Sequence, residues 1–233
     1  GKLIIESARL ALKDIDTKLL EIHPKDSGTN PTKTLKSAFE LKEMGINIII
    51  GPIFYKNLSY LEEVKDVIFL SLTNKTIDLP KNVISSGVNA TSQLNTIKKF
   101  ITSNEINKTI FLTPKLDYEA EVKKGIKNSK IKISKHYVYE NEPTKLTSQI
   151  EKITNYKRRK QNLLDEIKRV EESDLIDKEK QLEKLEKKYT IGNVNFDSVI
   201  ISDFDESLKS VITSLLYTDV SPKKKYIITF NQW

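Results

Sequence analysis

Small polar and aromatic side chains stand directly behind runs of β-branched residues throughout this sequence. Phe54 and Tyr55 follow the run Ile46–Ile50 and its Gly51-Pro52 stop, and Ser71, Thr73 and Asn74 follow Val67–Leu70. Tyr118 follows the run at 109–113, Asp203 follows Ser198–Ser202, and Trp233 closes the chain behind Tyr226–Phe230. Hydroxyls, amides and a carboxyl donate and accept hydrogen bonds, and rings stack. This is the equipment of reversible recognition. In open α/β sheets such residues collect just beyond the carboxyl ends of parallel strands, where helix N-termini and free backbone N–H groups also point. The eight residues are therefore the candidate ligand-binding set.

Covalent chemistry finds little to work with. There are no cysteines, and His23 and His136 are the only histidines. His23 falls at a strand end and His136 within a strand, positions typical of surface or edge residues. A Ser–His–Asp set stays open, but no Gly-x-Ser-x-Gly elbow accompanies it. Walker and GxGxxG loops are absent, as are spaced His or Cys pairs, so neither a cofactor nor a metal is expected. The reading is of a non-enzyme. The net charge of +7 combines 39 basic with 32 acidic residues. The excess is Lys without interleaved aromatics, which argues against nucleic acid as a partner. No apolar run approaches the roughly 20 residues of a membrane span.

Several candidates have a plainer role open to them. Asp26 fits an Asx turn as well as a ligand contact. Phe54 and Tyr55 fit stacking on a ligand or simple packing. Asp203 and Asp205 fit N-caps of a helix over 206–216, and Tyr118 suits a half-wet wall through its ring and hydroxyl.

The elements that must position these groups alternate. Helices are expected at 3–14, 31–44, 56–64, from Thr91 to Ser103, and at 117–127, 144–154 and 206–216. Strands are expected around Lys18–His23 and at 46–50, 67–71, 83–87, 109–113, 131–138, 198–202 and 226–230. Such alternation argues for an α/β fold with mainly parallel sheets. It divides into a first lobe over 1–93 and a second over 94–233. The chain opens inside an amphipathic helix and stops as a strand ends, so the first strand and a C-terminal part are expected to lie outside this sequence.

Residues 156–189 break the alternation. Leu164, Ile167 and Val170 form one helical stripe, and Leu175, Leu182, Leu185 and Tyr189 form another. Ser173-Asp174 can turn the chain between them. The segment reads as a helical hairpin inserted in the second lobe, either a solvated charged face or a partner-docking arm.

Specific motifs then carry a family resemblance. SARLALKDID, KDSGTNPTKTLKSAFELKEMGINIIIGPIF and IFLSLTN resemble type I periplasmic binding proteins of the leucine and branched-chain receptor kind. The family's D-x-x-x-[DN]-P segment corresponds to Asp26 through Asn30-Pro31, and its I-I-G-P strand end to Ile49 through Pro52. TIFLTPKLDYEAEVKKGI resembles the family's turn into the second lobe. NYKRRKQNLLDEI, FDSVIISDFDESLKSVITSLLYTDV and the closing Gln-Trp are similar to the penicillin-binding protein activator branch.

The resemblance implies a two-lobed type I fold, here shortened at both ends. It implies a non-enzymatic periplasmic protein that regulates peptidoglycan synthesis through a penicillin-binding protein partner. Contact with the membrane would come only through a lipid anchor outside this sequence. The alternative it implies is the solute receptor of an ABC transporter, with a permease partner and a small polar ligand. Leu70-Ser71-Leu72-Thr73 departs from the amino-acid receptors' pattern at this position, as does Leu116-Asp117-Tyr118-Glu119, where the family usually has Tyr-Gly.

Overall fold

In the computed structural model, residues 1–15, 19–116 and 118–230 are described. The chain divides into two units, Gly1–Asn89 and Ala90–Trp233. Their boundary coincides with the first residue of a helix, four positions before the boundary read from the sequence.

Unit 2 is built on a four-stranded sheet ordered β5-β4-β6-β7, with every pairing parallel. The strands are β4 (Thr109–Pro114), β5 (Lys135–Tyr139), β6 (Ser198–Ile201) and β7 (Tyr226–Thr229). Every residue of β4 and β6 is buried. That is the expectation for central parallel strands covered on both faces. Ile110, Leu112, Val199 and Ile201 face α5 (Pro143–Ile153) and α8 (Asp205–Tyr217). Phe111 and Ile200 face α3 (Ala90–Ser103) and α4 (Glu119–Ser129) on the other side. The last two helices approach closely because Gly125 lacks a side chain: a Cβ there would stand 2.8 Å from the Ala90 Cβ.

Unit 1 carries a three-stranded parallel sheet ordered β1-β2-β3, formed by Ile48–Ile50, Ile68–Ser71 and Val83–Ser85. Ile49, Phe69 and Val83 pack toward α2 (Pro31–Glu43). That helix starts where the sequence says it should. The Asn30 side chain accepts from the Thr32 N–H at 2.8 Å, and Pro31 fills the first helical position. It ends against Gly45, whose φ of +82° suits a residue without a Cβ. The N-terminal helix α1 (Lys2–Ile15) buries no residue fully.

Three expectations are corrected. The run around Lys18–His23 forms no strand over its described residues 19–23, and Lys18 lies outside the described residues. A strand needs a ladder partner, and β1 pairs only with β2 among the described residues. The helix expected at 56–64 is two short 3₁₀ turns, Tyr55–Leu58 and Leu61–Glu63, broken by Tyr60 in the left-handed region. Asn57, Ser59 and Tyr60 are weak helix formers, and too few turns follow to offset nucleation. The helix expected from Thr91 begins at Ala90, so Thr91 lies inside its first turn.

The insertion is a pair of helices, α6 (Tyr156–Glu171) and α7 (Lys178–Glu186). They bury Leu163, Val170 and Leu185 against one another, apart from the main cores. Leu164, read as part of this stripe, is exposed, because the interior face runs through Leu163 instead. The root of the pair is fastened by Arg159, which is buried. Its guanidinium donates to the Gly192 carbonyl at 3.2 Å, the Thr218 carbonyl at 3.0 Å and the Thr190 hydroxyl at 2.7 Å. Asp219 stands 3.6 Å away. Burial disfavours ionisation of Asp219, but hydrogen bonds from Lys224 and Thr190, with Arg159 nearby, keep its carboxyl below the usual range. Removing one side of this cluster strands the other in a dry site. Arg159→Met is therefore expected to cost about 2–4 kcal/mol in urea unfolding. Arg159→Met combined with Asp219→Asn should cost less than the sum of the single changes.

Candidate functional site

The carboxyl ends of β4, β5 and β6 form a polar rim in unit 2. Asp203, two residues past β6, is 2% exposed and accepts three hydrogen bonds. The Ser207 hydroxyl donates at 2.6 Å and the Phe204 N–H at 2.8 Å. The third donor is the hydroxyl of Tyr139, the last residue of β5. Tyr118, which opens α4, donates to the Ser202 carbonyl at 2.9 Å. Its ring lies against Phe204, with centroids 5.5 Å apart. Burial, followed by the neighbouring Asp203, raises the phenol pKa of Tyr118 and of Tyr139 well above the ordinary value. Both phenols thus hold their protons and act as donors. Phe204, not Asp203 or Asp205, occupies the N-cap of α8, and it makes no side-chain cap bond.

A second chain of groups runs beneath this rim. Ser202 donates to Thr113 at 3.0 Å, and the Thr113 hydroxyl meets His136 Nε2 at 2.8 Å. His136 lies on the edge strand β5 with its ring edge-on to Phe111. Burial first, then the Lys123 cation, lowers its pKa, while Glu119 opposes them. The pairing of a hydroxyl with an imidazole does not make a nucleophile here, because Thr113 is completely buried.

In unit 1 the hydroxyls are turned inward. Ser71 Oγ donates to the Pro52 carbonyl at 2.7 Å and accepts from the Thr73 N–H at 3.2 Å. Thr73 Oγ1 accepts from the Lys75 N–H at 3.3 Å. Ser85 and Ser86 clamp the same loop by donating to the Thr73 and Ser71 carbonyls at 2.8 and 2.9 Å. Gly87 completes the clamp, since a Cβ there would lie 2.4 Å from the Leu72 and Thr73 carbonyl oxygens. Phe54 is exposed, Asn74 is half-buried, and Tyr55 is half-buried against the core of unit 1. The Lys75 ammonium sits 4.3 Å from the centre of the Tyr55 ring. Asp26 makes the turn rather than a free contact, accepting from the Gly28 N–H at 2.9 Å.

Phe54, Tyr55, Ser71, Thr73 and Asn74 thus lie in unit 1, and Tyr118 and Asp203 in unit 2. Trp233 lies outside the described residues. The sequence reading did not single out Tyr139, Phe204 and Ser207. Tyr139 stands directly behind the strand expected at 131–138, so the rule that found Tyr118 applied to it as well. Among the described residues, no group of His, Asp and Glu is placed to hold a metal. Likewise, no helix is long and apolar enough to cross a membrane.

Parallel sheets flanked by helices, present in each of two units, give the chain a fold it shares with solved regulator and substrate-binding structures. No protein-family model and no curated protein matches the chain. Among solved structures, it is similar to the C-domain of LpoA (YraM) from Haemophilus influenzae, a regulator of PBP1A. That likeness has a TM-score of 0.56 at 13% identity, over 95% of this chain and 58% of that one. It is also similar to an ABC transporter substrate-binding protein from Desulfitobacterium hafniense, with TM-score 0.61 at 12% identity, over 100% and 63%. The complex of the D. hafniense protein with Leu gives 0.59 at 12%, over 99% and 62%. The chain spans about three fifths of the length of these structures.

Two outcomes follow from the rim. Tyr139→Phe removes a donor from a buried carboxyl and is expected to destabilise by about 1–3 kcal/mol in denaturant titrations. A lowered His136 pKa means the folded state favours the neutral ring. Its contribution is full above the unfolded value of about 6.5 and is lost as pH falls toward the lower folded value. The group is half-buried on an edge strand, so solvent screening keeps the effect small. His136→Gln should flatten the stability profile as pH falls below about 6.5.

Proposed function

We propose that this protein is a non-catalytic binding protein of the bacterial envelope, acting in the periplasm, that regulates peptidoglycan synthesis through a penicillin-binding protein partner. One observation carries the choice. Ser71, Thr73 and Asp203, the groups best suited to hold a small polar ligand, are buried and bonded within their own units. A receptor for an amino acid needs free, converging donors and acceptors, because a zwitterion is costly to desolvate without them. Phe54 and Phe204 are exposed aromatic side chains at these rims, which suits a protein surface. The likeness to the LpoA C-domain, whose own description is a regulator of PBP1A, supports the same reading.

The second reading is a solute receptor for an ABC transporter, supported by the likeness to the D. hafniense protein and its Leu complex. Titration calorimetry separates the two. Leucine should bind no more tightly than about 1 mM, whereas a purified PBP1A-class synthase from the same organism should bind in the micromolar range or below. Leucine binding in the low micromolar range would reverse the order of the readings. In that case Tyr118→Ala should weaken the amino acid by about 1–3 kcal/mol through the lost ring and hydroxyl.

A further inference from the structure

The end of the helical pair carries an anomaly. Turns between helices are usually built from small or polar residues, yet Leu175-Ile176 occupies this one. Ile176 is 107% exposed and Leu175 46%. Neither helps close the small core of the pair, which is formed by Leu163, Val170 and Leu185 with Ile167, Leu182 and Ile191. A polar residue at either position would serve the fold as well. The end is held by a fixed support, since that core and the buried Arg159 clamp fasten the root.

The charge around this aliphatic pair is also distinctive. Within 171–179, Glu171, Glu172, Asp174, Asp177 and Glu179 stand against Lys178, with Lys168, Arg169 and Lys180 just outside. The Lys178 ammonium is engaged by the Glu171 carbonyl. Among the described residues, only Glu172 of the five carboxylates enters an ion pair, with Lys168 at 3.8 Å. On a chain of net charge +7, this end is a local negative pole.

We propose that the turn over 171–179 is a docking surface for a protein partner that offers an apolar pocket rimmed by Lys and Arg. The inference rests on the partner-regulating reading above and names the surface through which it acts. Leu175 and Ile176 enter the pocket as a small apolar anchor, and the ring of carboxylates meets the basic rim. Charge of this sign steers encounter and fixes orientation. It also disfavours anionic lipid surfaces and nucleic acid, which the same carboxylates repel.

The test uses the full chain and a purified PBP1A-class synthase from the same organism, with binding followed by biolayer interferometry. Leu175→Ser/Ile176→Ser should weaken binding by about tenfold or more. Asp174→Lys/Glu179→Lys should weaken it comparably at low salt, with the difference shrinking as salt rises. Circular dichroism should be unchanged for both variants, since neither touches a core. If the synthase binds wild type and both variants alike, the docking surface is overturned while the partner-regulating reading stands. If the synthase does not bind wild type at all, both fall. Sedimentation that shows a self-association abolished by Leu175→Ser/Ile176→Ser would assign the surface to a second copy and overturn the choice of partner.

Discussion

Burial of β4 and β6 on both faces is the constraint from which the rest of unit 2 follows. Because these two parallel strands have no wet side, their side chains alternate between two helical layers. Ile110 and Leu112 go to one layer and Phe111 to the other, and β6 repeats the pattern in register. Helices must therefore sit on both faces, and the connections must return over them. The carboxyl ends of the strands are then the first place where polar groups can gather, and Thr113, Ser202 and Asp203 do so. Because the helices shut water out even there, these groups bond to one another: Ser202 to Thr113, Thr113 to His136, Tyr139 and Ser207 to Asp203. The rim is set by the same burial that sets the sheet.

Unit 1 departs from that arrangement. Its sheet has α2 on one face, where Ile49, Phe69 and Val83 are covered. The opposite face carries Ile48, Ile50, Ile68 and Ile84, all exposed among the described residues. The strands are short and β1 alternates in exposure. The loop behind β2 is nonetheless tightly fixed, because hydroxyls and backbone carbonyls hold it locally: Ser71 to Pro52, Ser85 to Thr73, Ser86 to Ser71. Order at this rim thus comes from hydrogen bonds in the loop itself as well as from the depth of the sheet beneath.

These two sources of order explain what the sequence could and could not reveal. Strands with continuous apolar runs, such as those at 109–113 and 198–202, were legible because period and composition agree. So was α2, whose Asn30-Pro31 start is a local signal with a local cause. The 56–64 segment was misread because Tyr60, Leu61 and Val64 make a plausible stripe while Tyr60 takes a left-handed backbone that no spacing announces. The residues of the candidate site were found by position, at the ends of strands. What each does there was not legible, because Ser71 turning toward Pro52 and Asp203 gathering Tyr139 and Ser207 are pairings across 19, 64 and 4 positions of chain.

The helical pair separates these levels most clearly. Its period and charge were visible in the sequence, yet the choice of Leu163 over Leu164 as the inward residue depends on how α6 is rotated about its axis. That rotation is set at the root, where Arg159 must reach Gly192, Thr218 and Thr190 together. With residue 159 turned inward, residues 163 and 170 follow at helical spacing and 164 turns out. A buried guanidinium that looks like one more cation in Lys157-Arg158-Arg159-Lys160 thus determines which apolar residues form the core of the pair. It does not reach the turn at 172–177, where Ile176 has no inward partner to find.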